Sequence, residues 1–88
     1  MASGGYIDMF YVYILKGINN DRYYVGQTGN LEKRLADHNI GLCSSTKKWI
    51  PWKIVYEEEF LYRGEALKRE RKIKSYKRGN AFKKLINK

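Results

Sequence analysis

Residues 22–39, RYYVGQTGNLEKRLADHN, decide how this chain folds. Tyr23-Tyr24-Val25 is aromatic and β-branched, the composition of a short strand running into Gly26. Thr28 or Asn30 offers a side-chain oxygen to cap a helix that follows. Gly41 stands where that helix should end. On a wheel of about 100° per residue, Leu31 and Leu35 define the buried arc. His38 falls beside Leu31, on the side away from Leu35, and Arg34 sits at the edge of the arc. A lone histidine on an apolar face is usually a satisfied core histidine. A lone arginine there usually snorkels to solvent. Side by side, just after a Tyr-Tyr-Val-Gly strand end, the two make a candidate site.

Upstream, residues 10–15, FYVYIL, are apolar throughout and read as a strand covered on both faces. GINND after it is a turn cluster, so the two strands form a hairpin. Downstream, residues 41–51, GLCSSTKKWIP, are a loop, and Pro51 marks the start of a third strand. In residues 52–60, WKIVYEEEF, alternation sets Trp52, Ile54, Tyr56 and Phe60 on one side and Lys53, Glu57 and Glu59 on the other. Arg63 to Lys77 has high helix propensity. Gly79 interrupts, and a short last helix from Asn80 docks Phe82 and Ile86. The order is β-β-α-β-α-α, an α+β domain around a small three-stranded sheet. Residues 1–8 read as a flexible leader, either an expression remnant or a natural extension, and residues 9–88 as one domain.

The second long helix carries its own polar intruder. Ala66, Leu67 and Ile73 mark its apolar arc, and Glu70 projects between Ala66 and Leu67. A carboxylate there is costly unless it is paired, hydrogen-bonded or bound to a cation. Two readings stand level: a structural ion pair, for instance to Arg34, or a metal ligand or acid–base group at a cleft edge.

The charge narrows the partner. The chain carries a net charge of +9, with eleven Lys/Arg and two Glu in residues 63–88 against seven Lys/Arg and seven Asp/Glu before them. A one-ended positive field favours a polyanion, most commonly nucleic acid. A single cysteine, Cys43, suggests no disulfide framework, and one Cys with one His makes no zinc cluster. No apolar run approaches the roughly 18 residues of a membrane span. The expected setting is cytoplasmic, with no membrane partner.

Tyr11-Val12-Tyr13 and Tyr24-Val25-Gly26 resemble the paired motifs of the GIY-YIG nuclease superfamily. Asn30-Leu31, Arg34-Leu35, His38-Asn39, and later Glu65-Ala66-Leu67, Glu70 and Ile73-Lys74 follow the same pattern, across about residues 10–75. The likeness is to small standalone bacterial members, similar to the nuclease domain of the excinuclease subunit UvrC and to structure-specific nucleases of the Slx type. It implies a three-stranded antiparallel sheet flanked by helices. It also implies divalent-metal-dependent hydrolysis of phosphodiester bonds in DNA, on structure-specific substrates of repair or recombination.

Carried over by position, Tyr13 and Tyr24 are the motif tyrosines, Arg34 the active-site arginine and Glu70 the ligand of one Mg²⁺ or Mn²⁺. His38 matches a histidine frequent near the site. Tyr11, Val12, Val25 and Gly26 complete the motifs. Tyr11 replaces the first motif's glycine, and Gln27 stands where the UvrC type has lysine, which removes a positive charge beside the tyrosine. Phosphodiester hydrolysis needs a deprotonated nucleophile and charge stabilisation at phosphorus. Tyr24 is the candidate general base, with Tyr13 orienting water or phosphate or serving as the base instead. Metal and Arg34 would favour a phenolate, and His38 is the side chain suited to relay a proton near neutral pH. Lys47, Lys48, Lys68, Arg69, Lys72, Lys77 and Arg78, with the hydroxyls of Ser44, Ser45 and Thr46, are candidate backbone contacts. The other reading of these residues is a nucleic-acid-binding module that keeps the fold and cleaves little.

Overall fold

A central strand, β1 (Phe10–Gly17), pairs antiparallel with β2 (Tyr23–Thr28) on one edge and with β3 (Trp52–Phe60) on the other, giving the order β2-β1-β3. The structure is a computed structural model and describes residues 9–87; the expected leader, residues 1–8, lies outside the described residues. Helix α1 (Leu31–Asn39) and a 3-10 turn (Lys47–Trp49) lie between β2 and β3, and α2 (Arg63–Ser75) and α3 (Asn80–Ile86) follow. This is the β-β-α-β-α-α order and α+β class that the sequence implies.

β1 is buried from Val12 to Leu15, as a strand with a neighbour on both edges and helices over both faces must be. Its pleat divides the core. Val12 and Ile14 pack with Ala66, Ile73 and Phe82 on the α2–α3 face. Tyr13 and Leu15 pack with Trp52, Leu31 and Leu35 on the α1 face.

β3 does not alternate as its sequence suggests. The β1–β3 register steps from Ile14↔Tyr56 to Leu15↔Ile54, leaving Val55 as an unmatched extra residue. Such a bulge turns everything beyond it over. Trp52 and Ile54 therefore join the α1 face, while Val55, Tyr56 and Phe60 join the α2 face. Period-2 alternation carries no sign of a bulge, so it groups Trp52, Ile54, Tyr56 and Phe60 on one side.

Two further expectations change. Ala66 and Ile73 form the fully buried seam of α2, but Leu67 is exposed, because it stands about 100° round the helix from Ala66. The helix also stops at Ser75, short of Lys77, and Lys77 and Arg78 adopt left-handed φ values of 48° and 65°.

Candidate active site

Tyr13 lies opposite Gly26 across the β1–β2 ladder, with Tyr24 two residues earlier on the same face. A β-carbon on Gly26 would stand 2.5 Å from the Tyr13 hydroxyl oxygen and 2.7 Å from its ring carbon Cζ. Only glycine lets the Tyr13 ring lie across β2. The ring centroids of Tyr13 and Tyr24 are 6.3 Å apart.

Helix α1 brings the next pair. The Asn30 side chain accepts from the Lys33 amide and caps it, and Thr28 Oγ1 accepts from the Asn30 amide; Gly41, at φ 85°, ends the turn beyond Ile40. The helix seats His38 wholly inside. His38 Nε2 is 3.0 Å from the Tyr13 hydroxyl, and Nδ1 is 2.8 Å from Thr46 Oγ1. The Tyr24 ring centroid is 4.8 Å from the imidazole. The Thr46 hydroxyl has the Cys43 carbonyl within 3.4 Å as its acceptor. Protons assigned from these partners make His38 Nδ1–H the donor to Thr46, and leave Nε2 to accept from Tyr13. The histidine is thus a satisfied core residue and also a clamp on the Tyr13 hydroxyl.

Electrostatics oppose charge at this clamp. Burial pushes the Tyr13 phenol up to about 12, and the Arg34 guanidinium beside it offsets only part of that rise. Burial and then Arg34 lower His38 below the ordinary histidine range, with Asp37 opposing weakly. His38 is therefore neutral at pH 7. A histidine depressed in the folded state contributes stability that is full above its unfolded value of about 6.5 and is lost as pH falls through the folded value. Urea unfolding midpoints of wild type should drop below pH 6.5, and the His38→Gln variant should show a shallower acid limb. Parallel limbs in the two proteins would mean that His38 is not the group responsible.

Thr46, a candidate backbone contact by sequence, is only 1% exposed and so is closed to a phosphate. Its carbonyl accepts from Trp52 Nε1–H at 3.0 Å, which pins the loop under α1. No periodic signal marks a buried threonine inside a loop, so the sequence hides this role. Asn39 was also missed as an anchor. Its side chain accepts from the Trp52 amide (2.7 Å) and donates to the Trp52 carbonyl (3.1 Å), joining the end of α1 to the start of β3.

Tyr13, Tyr24, His38 and Arg34 come together; Glu70 stands apart, on α2. Its side chain is 16% exposed, and the carboxylate pairs with Lys74 Nζ at 2.7 Å, one turn along the helix. Among the described residues no ion pair joins it to Arg34. The link to the tyrosines is a groove at the β2 edge, lined by both Lys74 and Tyr24. Gln27 pairs with Val12 and so lies on the α2 face of the pleat, away from Tyr24 and Gly26; the cation beside the phenol is Arg34. Lys47, Lys48, Lys68, Lys72, Lys77 and Arg78 are exposed. Arg69 is not free for a phosphate, because its Nε–H donates to Glu58 at 2.9 Å.

Residues 9–84 match the GIY-YIG catalytic domain, and the chain belongs to that family of nucleases. Its members generally use divalent metal ions and act on nucleic acid. The chain is 42% identical over 74 residues to a UPF0213 protein of Staphylococcus haemolyticus, covering 83% of this chain and 89% of the relative. It is 38% identical over 78 residues to a UPF0213 protein of Staphylococcus saprophyticus, covering 88% and 94%. A third UPF0213 protein, from Listeria welshimeri, is 39% identical over 71 residues, covering 80% and 78%. No solved structure matches the chain.

Proposed function

We propose that this protein is a divalent-metal-dependent endonuclease that hydrolyses phosphodiester bonds in DNA. The observation that carries the reading is the Tyr13–His38–Thr46 chain, buried beside Arg34 and leading out through Tyr24. A polar chain of this kind inside an apolar face holds hydroxyl and guanidinium groups in fixed directions, which is what charge stabilisation at phosphorus requires.

Among the described residues no three His, Cys, Asp or Glu side chains converge on a metal site. The donor chemistry fits a hard cation held by one carboxylate, Glu70, with substrate oxygens and waters as the remaining ligands. It does not fit zinc. Bound there, one Mg²⁺ or Mn²⁺ would supply Lewis-acid stabilisation of charge on the phosphate and leaving oxygen.

The chain's own residues do the rest. Arg34 pairs with a non-bridging phosphate oxygen, where a planar fork serves better than a point charge. Tyr24 is the general base toward water. Tyr13 stays protonated at neutral pH; with its O–H given to His38, its oxygen can accept, from Arg34 or from that water, and so holds them in place. His38 acts on Tyr13 and Tyr24 as a positioning residue, since burial and Arg34 both resist its becoming charged. Lys47, Lys48, Lys68 and Lys72 follow the strand backbone. Glu32, Glu57 and Glu59 line a groove on the α1 side, and their charge turns phosphates away from that end.

The test is nicking of supercoiled plasmid, and of branched and single-stranded DNA, in Mg²⁺ or Mn²⁺. Arg34→Ala should cut slower by roughly 10²–10³-fold, with an unchanged circular-dichroism spectrum. Binding with a steep salt slope and no metal-dependent cutting by wild type would instead identify a binding module without nuclease activity.

A further inference from the structure

The edge of β2 opens into a groove of about 270 Å³ that shares the Tyr24 wall of the candidate active site. Its floor is apolar: Val25 from β2, Ile73 from α2 and Phe82 from α3. Tyr23 meets Phe82 edge-on at 5.3 Å and 84°. The rim carries the cations Lys77 and Arg78, beside Lys74, which is paired with Glu70. The Arg78 guanidinium lies 5.2 Å over the Tyr23 ring.

The rim is bent into place. Lys77 and Arg78 are the only non-glycine residues with positive φ among the described residues, at 48° and 65°. Side chains with a β-carbon avoid this region, and glycine would hold the same turn without that penalty. Both residues lie in the turn that ends α2, closed by the Gly79 amide on the Tyr76 carbonyl at 2.8 Å, and the turn carries the two cations to the groove.

We infer that this groove binds the unpaired nucleotide adjoining the scissile phosphate, with its base against Tyr23 and the apolar floor and its phosphate on Lys77 and Arg78. The identity of the neighbouring phosphate rests on the nuclease reading above. A paired base hides its faces in the duplex stack, so a groove that takes a base face selects an unpaired one. An aromatic, apolar floor beneath cations matches a nucleotide better than inorganic phosphate or an acidic peptide, which would leave the floor unused. Guanidinium planes stack on bases as they do on phenol rings, so Arg78 is suited to both states.

The test measures binding apart from cutting. Fluorescence anisotropy in EDTA compares a labelled oligothymidylate of about eight residues with a backbone of equal length whose residues are abasic. Wild type should bind the thymidylate roughly tenfold more tightly. The Lys77→Gly/Arg78→Gly double variant should lose most of that preference while melting at the wild-type temperature or above, since glycine relieves the turn. Equal affinity for the two strands would overturn the inference, as would a double variant that binds like wild type. Polyglutamate competing as well as thymidylate would also overturn it, in favour of an acidic peptide. The two readings fail separately. Base preference without any metal-dependent cutting leaves the groove standing and removes the nuclease; cutting of abasic and normal flaps at one rate does the reverse.

Discussion

Glu70→Gln should lower metal-dependent cleavage on the order of 10³-fold and leave the melting temperature close to that of wild type. Glutamine keeps the volume and can still accept from Lys74, but it lacks the charge that a hard cation needs. The fold should tolerate the change because Ala66 and Ile73 carry the burial of α2. Lys74 is 55% exposed and can return to water when its partner is neutralised. A half-exposed ion pair of this kind is worth about 0–1 kcal/mol. Identical nicking by wild type and variant at matched Mg²⁺ would remove Glu70 from the proposed mechanism. A variant that unfolds would instead mean that the ion pair is structural.

Gly26→Ala should act on stability and cleavage together. The new methyl would sit 2.5 Å from the Tyr13 hydroxyl, 2.7 Å from Cζ and 3.0 Å from Tyr24 Cε2. Tyr13 is 1% exposed, so an outward swing into solvent is not open to it. It must rotate, and the rotation breaks its hydrogen bond to His38. Overpacking at such a site costs about 1–3 kcal/mol, and misplacing the hydroxyl should slow cleavage about 10²-fold. Gly64→Ala is the matched control. It lies in α2 with nothing within 4 Å of the added carbon, so helix propensity should make it neutral or stabilising by up to about 1 kcal/mol. Equal unfolding midpoints for the two alanine variants would mean that Gly26 does not set the position of Tyr13.

The elements were legible because each has a local cause. FYVYIL reads as a two-sided strand, and a Thr28 or Asn30 cap with Gly41 bounds α1 from both ends. The inward turn of His38 followed from helical spacing alone, since residues seven apart, here Leu31 and His38, return to nearly the same face. What the sequence concealed depends on contacts between distant segments. The bulge at Val55 exists only relative to β1. The partner of Glu70 is Lys74, one turn along its own helix, and not Arg34. Thr46 completes the histidine's hydrogen bonding from a loop that carries no pattern. Arg69 looked like one more surface cation until β3 placed Glu58 against it.

The double hydrogen bond between Asn39 and Trp52 has a consequence for how this fold can diversify. It fixes both ends of the intervening loop to the framework, one at the last turn of α1 and one at the first residue of β3. Segments tied at both ends tolerate insertions at small entropic cost. Thr46 and Trp49 are themselves anchored to the core, so the exposed stretch at Leu42, Ser44 and Ser45 is the part of the loop that can change without disturbing the helix that carries Arg34 and His38. It is a natural splice position, where a recognition peptide could be grafted while the proposed chemistry stays in register.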